Sequence, residues 1–421
     1  MNKNTPAWAI LAICWLALVC DGYDLYVYGA TLPGFLADPA WGVTKGLAGT
    51  VGSFALVGML IGSLAAGMLT DRWGRRRLLL VTLATFTIGM LLCAVAPSFV
   101  LFAVFRFLTC LGVGGLLPTA VAVANESAPK GWSSLAVGAV LLGPPVGSLI
   151  GALTAGALVP TVGVRPVYAL GGLSAVVFLL VLLFLPESQE FRTARAAVKA
   201  AAPGSASARP GGVSRLFAEG RGRATLLMWA ACLLSLLTIT GITTWLPVIM
   251  QGAGFATGSS IAFLSIYSVG CIVGTIVLAV GAQMSAPKYM VISGFAAAAL
   301  ALVGVSLTQD HTLLVIAIFV AGVGGMATQN MINDHVAQYY PAAIRATGLG
   351  WTLAIGRIGM ILGPTYGGLA ASVGGSASAA AMWFAIPAAL GMIVAIVLPI
   401  RARIVEGGSV DGAARLKGAP A

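Results

Sequence analysis

Charge is scarce in this sequence. Asp, Glu, Lys and Arg together make up 8% of its 421 residues, against roughly 25% in a soluble globular domain. That excludes a chain whose surface is mostly wet. Histidine is limited to His311 and His335. The six cysteines (Cys14, Cys20, Cys93, Cys110, Cys232 and Cys271) all fall in apolar runs, and none forms a C-x-x-C pair. Neither a zinc site nor a disulfide framework is therefore expected, and the thiols read as small packing residues. No cofactor or metal is expected, and without a catalytic cluster a membrane-embedded enzyme is set aside. Acidic residues are fewer than basic ones, 12 against 23, for a formal net charge of +11. A basic balance can serve nucleic acid, but these cations sit in short gaps between apolar runs, with no interleaved basic and aromatic face. No nucleic-acid partner is expected.

Apolar residues, by contrast, reach 59%, with a mean hydropathy of +0.99. A spanning helix needs about 20 mostly apolar residues. Runs between charge and Pro/Gly breaks predict twelve: 8–31, 47–70, 78–97, 99–124, 133–158, 166–185, 225–250, 259–281, 288–308, 312–337, 344–370 and 377–400. The opening, Lys3 followed by an apolar run from Ala7 to Val19, has the look of a signal peptide. Val19 before Cys20 is the wrong residue for a lipoprotein cleavage box, and apolar character resumes after Asp24, so the segment reads as span 1. Basic residues favour the cytoplasmic side of a membrane. With the N-terminus inside, Lys45 and Arg165 alone fall in outer loops, and Arg106 and Arg357 lie within spans; every other basic residue is cytoplasmic. Both termini are therefore expected inside, in a bacterial inner membrane.

Residues 186–224 are basic and rich in Ala, Gly, Ser and Pro, the composition of a flexible linker. Leu111-Gly-Val-Gly-Gly115 before this segment is echoed by Ala321-Gly-Val-Gly-Gly325 after it. The expected organisation is a six-helix half over 1–185, a cytoplasmic linker over 186–224, a second half over 225–400 and a cytoplasmic tail over 401–421. Carriers are commonly built from such repeats, with the substrate site between them.

Between spans 2 and 3 stands Gly67-Met-Leu-Thr-Asp71-Arg72-Trp-Gly74-Arg75-Arg76-Arg77. It resembles the major facilitator signature loop, G-x-L-x-D-R-x-G-R-[KR], at every defining position, and the span count and linker extend the resemblance over the whole chain. The matching loop of the second half, Gly281 to Lys288, has degenerated, which implies an asymmetric gate. Asp21-Gly22-Tyr23-Asp24 in span 1, Tyr340-Pro341-x-x-x-Arg345-Ala-Thr-Gly348 and Gly356-Arg357-Ile-Gly359 are similar to the aromatic acid:proton symporters of that superfamily. The resemblance implies an all-α membrane fold and inward symport of a small aromatic carboxylate with protons, by a monomer in a lipid bilayer. Asp334-His335 departs from the expected small or apolar residues of span 10. A sugar or metabolite porter is the nearer rival, since Leu185-Pro186-Glu187-Ser188 is common there. A drug:proton antiporter fits the span 1 acids and two intramembrane arginines less well.

A charge at the bilayer centre costs about 2.5–3.5 kcal/mol or more, so each one requires a reason. Asp21 and Asp24 are three residues apart and share a helix face, which Tyr28 continues. At ~1.5 Å per residue Asp24 lies ~10 Å, Asp21 ~15 Å and Arg106 ~12 Å from the outer ends of their spans. An Asp–Arg pair between spans 1 and 4 is thus possible. Asp21 and Asp24 are the expected proton carriers, and Arg106 and Arg357 the expected carboxylate binders, since a planar guanidinium suits a carboxylate. Tyr23, Tyr28 and Tyr267 are candidates for stacking on the cargo, with Asn330 as a polar contact. Trp245, next to Pro247 at a span end, is expected as an interfacial anchor. Asp71, Arg72, Arg75 and Arg345 are assigned to the gate, with Glu126 as the partner of Arg75.

Overall fold

The computed structural model describes residues 6–129, 132–187, 213–218, 220–373 and 377–399. Most of the expected linker, all of the expected tail and the side chain of Asp71 lie outside the described residues. Every regular element within them is helical. Before the linker come α1 (Ala7–Ala37), α2 (Lys45–Trp73), α3 (Arg75–Val95), α4 (Phe99–Ser127), α5 (Ser133–Val140), α6 (Gly143–Val162), α7 (Arg165–Gly171) and α8 (Ser174–Phe184). After it come α9 (Ser214–Phe217), α10 (Gly222–Gly252), α11 (Thr257–Met284), α12 (Pro287–Leu307), α13 (His311–Gly324), α14 (Met326–Tyr339), α15 (Ala342–Val373) and α16 (Ala377–Val397).

Among the described residues, eleven helical stretches are long and apolar enough to cross a membrane. The remaining expected span, 344–370, is occupied by α15, whose 32 residues include Arg357 and a series of glycines that dilute its apolar character. Large side chains such as Leu300 and Val100 point outward, 73% and 72% exposed, as suits a lipid-facing surface. Side-chain caps fix several starts. The Thr44 hydroxyl accepts the Leu47 N–H at 3.2 Å, Ser98 accepts that of Leu101, and Asp310 that of Leu313, satisfying donors a helix start leaves orphaned.

Three expected spans are each broken into two helices. In span 5 the break falls at Leu141 and Leu142, before Gly143-Pro144-Pro145; proline lacks an N–H and is tolerated in the first turn of a new helix. Span 6 breaks between Gly171 and Ser174. Span 10 breaks at Gly325, whose φ of −75° and ψ of −102° leave the helical region. The echoed Gly114-Gly115 stays inside the continuous α4. The same dipeptide therefore has two outcomes, set by its surroundings.

Within each half, glycines let backbones touch. A Cβ on Gly22 would strike the Pro144 backbone, one on Gly147 the backbone of Val19, and one on Gly359 that of Leu233. The halves meet through α1 against α10, α2 against α15, and α6 against α11. Among the described residues, the hydrogen bonds and close glycine contacts joining them run from mid-bundle to the end where α1 finishes. Ser148 Oγ donates to Ser268 Oγ at 3.1 Å near the middle. Further out, Ser53 and Thr365 hydroxyls lie 2.7 Å apart, and Lys45 Nζ donates to the Ala371 carbonyl at 3.2 Å. The signature loop lies at the other, basic end.

Candidate functional site

The charged residues of α1 sit in its buried middle. Asp24 is 0% and Asp21 1% exposed. Arg106 of α4 donates through Nη1 to Asp24 Oδ1, and its Nη2 donates to the Asp24 carbonyl at 3.3 Å. The other carboxylate oxygen of Asp24 accepts from the Cys110 thiol at 3.4 Å. Two rings enclose the guanidinium, Tyr28 at 5.8 Å and Tyr168 of α7 at 6.0 Å from Cζ to ring centre, within cation–π range. Both phenols are engaged, Tyr28 donating to the Ala48 carbonyl at 2.6 Å and Tyr168 lying 2.8 Å from the Thr31 hydroxyl. The whole cluster is built from α1, α2, α4 and α7.

Asp21 faces elsewhere. Its Oδ1 is buried with no hydrogen-bond partner. Gly29 of α1 packs on Thr243 and Thr244 of α10, and Gly356 packs on Cys232 and Leu236 about two turns further in. That places Arg357 of α15 at about the level of Asp21, near enough for their charges to interact. Arg357 is half-buried, and its guanidinium makes no hydrogen bond or close ion pair among the described residues. Two carboxylates sharing one helix face thus have different cations, one in each half of the chain.

The other candidates are distributed more widely. Tyr23 is buried, and its hydroxyl donates to the Val167 carbonyl at 2.7 Å. Tyr267 of α11 and Tyr26 of α1 are both buried, and the Tyr267 hydroxyl lies against Gly325, where a Cβ would strike it. Asn330 is half-buried. Its neighbour Gln329 is the buried amide, with Nε2 donating to Cys232 Sγ and to Asn333 Oδ1, each at 3.3 Å. Asp334 accepts from Gln338 at 3.0 Å, and His335 is buried. Trp245 is fully buried and donates Nε1 to the Pro364 carbonyl at 2.8 Å. It locks α10 to α15 instead of anchoring in an interface. A small cavity lies within the second half around the break in span 10, lined by Ser235, Thr238, Tyr267, Phe295 and Gly325 among others. None of Asp21, Asp24, Arg106 and Arg357 lines it.

At the basic end Arg75 Nε donates to Glu126 Oε1 at 2.8 Å. Gly74 turns the chain with φ +88°, a value that favours glycine. The Glu187 carboxylate then accepts the Arg76 N–H at 3.1 Å, an anion at the positive end of α3. Arg72 and Arg345 are exposed.

Sequence reasoning missed Tyr168, Cys110 and Gln329. Cys110 was within reach, because it lies one turn after Arg106 and i, i+4 side chains are neighbours. Tyr168 carries no such signal, since only packing brings the short α7 over Arg106.

A buried acid–arginine pair inside a glycine-knitted bundle of spanning helices, with the signature loop at one end, fits a carrier. A family model described as the Major Facilitator Superfamily matches residues 14–364. The chain belongs to the major facilitator superfamily. It is 28% identical over 424 residues to a benzoate transport protein of Acinetobacter baylyi, covering 94% of this chain and 91% of that one. It is 31% identical over 389 residues to a gallate transporter of Pseudomonas putida, covering 87% and 86%. Among solved structures, a D-xylose–proton symporter superposes with a TM-score of 0.76 over 93% of this chain and 97% of that one. At 18% identity this last likeness speaks for the fold alone. As a superfamily member the chain is a multi-pass membrane transporter and not an enzyme.

Proposed function

We propose that this transporter imports a small aromatic carboxylate together with protons across a bacterial inner membrane. The single observation carrying the reading is the set of buried charges, two span 1 carboxylates with one arginine from each half of the chain. Such groups are costly in a bilayer and serve function by default. Aromatic-acid carriers among the relatives, benzoate and gallate transporters, favour this cargo over a sugar. Coupling follows from competition. A carboxylate of the protein and a carboxylate of the cargo both seek an arginine, and a proton on the former frees the cation for the latter. A neutral sum of anion and proton then crosses.

We read the basic end as cytoplasmic, following the bias of the basic residues. On that orientation the contacts between halves close the outer side, the arrangement of an inward-facing carrier. Arg75, Glu126, Asp71, Arg72 and Arg345 then belong to the inner gate, which must assemble when the carrier turns outward. The two six-helix units would rock about a midplane site, within a single monomer.

The test is uptake of radiolabelled benzoate by cells expressing the protein. Accumulation above cells lacking it, abolished by a protonophore and unmatched by glucose, is the expected result. Accumulation that needs sodium and survives loss of the proton gradient would remove the coupling claim.

A further inference from the structure

We infer that the two acid–arginine sets do different jobs: Asp21 and Arg357, facing each other from opposite halves, hold the proton and the cargo carboxylate, while Asp24 and Arg106 position span 1. The inference rests on the reading of this chain as a proton-coupled carrier of aromatic carboxylates. It reassigns the carboxylate site from Arg106, where the sequence placed it first, to Arg357.

Pairing with a carboxylate separates the two arginines. Arg106 is 3% exposed, gives both terminal nitrogens to Asp24, and is walled by Tyr28 and Tyr168. Its carboxylate partner is filled in turn by Cys110. Nε of Arg106 alone is left without an acceptor and is buried, so a cargo reaching this guanidinium would have to displace both of its bonds to Asp24 inside one half. Arg357 offers the opposite case. It is a half-buried cation with no hydrogen-bonded partner among the described residues, and an unpaired cation at membrane depth is unfavourable. A planar fork left open suits a bidentate carboxylate.

Asp21 supplies the complement. It is 1% exposed, and one carboxylate oxygen is buried without a donor. An ionised carboxylate in that condition is costly, so it gains by taking either a proton or the nearby cation. The charged and titratable groups that act on it are few. Asp24 and Cys20 share its helix, and Arg357 faces it from α15. Arg106 and Cys110 of α4 face Asp24 instead. Tyr267 and Cys271 of α11 face Tyr26, and α6 contributes no titratable side chain. Protonation of Asp21 therefore has one electrostatic consequence that crosses between the halves. It withdraws the anion that competes with the cargo for Arg357. Because Asp21 and Arg357 ride on different halves, their separation changes as the halves rock, and the proton and the anion can leave together.

The experiment measures benzoate binding to the purified full-length protein by calorimetry, from neutral to mildly acidic pH where benzoate stays ionised. Wild type should bind more tightly as pH falls. Arg357→Gln should weaken binding about 10- to 150-fold, the worth of a hydrogen bond to a charged group. Asp21→Asn should still bind, with the pH dependence gone. Should Arg357→Gln not fold, Arg357→Lys keeps the charge and should weaken binding about tenfold, because a point charge lacks the fork. Benzoate affinity at the wild-type level in folded Arg357→Gln or Arg357→Lys, or a wild-type pH slope in Asp21→Asn, overturns the inference alone. Failure of the wild-type protein to bind benzoate, 4-hydroxybenzoate or gallate at any of these pH values would overturn the proposed function itself, and the inference with it.

Discussion

Removing Arg106 tests how far the Asp24–Arg106 pair holds the first half together. In Arg106→Gln the Asp24 carboxylate, 0% exposed in the native protein, keeps the Cys110 thiol, a weak donor at 3.4 Å, and gains at most a neutral amide in place of its cation. Breaking a buried ion pair from one side costs about 3–5 kcal/mol. Asp24→Asn strands the guanidinium in the same way, between two rings that favour a cation but cannot neutralise it. The double variant, Asp24→Asn with Arg106→Gln, leaves no uncompensated charge and keeps two amides that can hydrogen-bond. It should be more stable than either single variant's loss predicts, with a coupling energy near the upper end of about 0.5–3 kcal/mol. Equilibrium unfolding of the purified protein in mixed micelles, run on all four members of the cycle, measures that coupling. If the single effects added to within about 0.5 kcal/mol, the pair would not be an energetic unit and the reasoning would fail.

Other perturbations should separate gate, latch and packing. Neutralising Arg75 or Glu126, a pair 18% and 11% exposed, should slow benzoate uptake while leaving benzoate binding measurable; a folded variant that lost binding instead would contradict a gating role. Lys45→Ala combined with Ser53→Ala and Thr365→Val removes the polar links between α2 and α15, so outer-end cysteine probes should label faster, and unchanged labelling would show that those links hold nothing. Gly22→Ala should lower the midpoint of thermal unfolding by several degrees, because its Cβ would meet the Pro144 backbone. Gly67→Ala, with no atom within 4 Å of the new Cβ, should leave the midpoint unchanged, and equal losses at the two positions would refute the packing argument.

Much of this molecule was legible without coordinates because its solvent writes the rules. A bilayer demands long apolar helices that satisfy their own backbones, so composition and run length located the spans. Buried charge is rare enough there that Asp21, Asp24, Arg106 and Arg357 stood out individually. What sequence could not supply was direction. Asp21 and Asp24 differ by about 60° around one helix, close enough to look like one site. At a seam between two halves that angle turns Asp24 inward to Arg106 and Asp21 across to Arg357. The breaks in spans 5, 6 and 10 were equally hidden, since Gly114-Gly115 and Gly324-Gly325 look alike and only the second pair interrupts its helix. The sequence by itself determined the membrane setting, the family and the short roster of intramembrane charges, all local consequences of hydropathy and spacing. Tertiary structure alone decided which arginine is paired with a carboxylate and which is not, because that depends on rings, thiols and carbonyls brought from helices far apart in the chain.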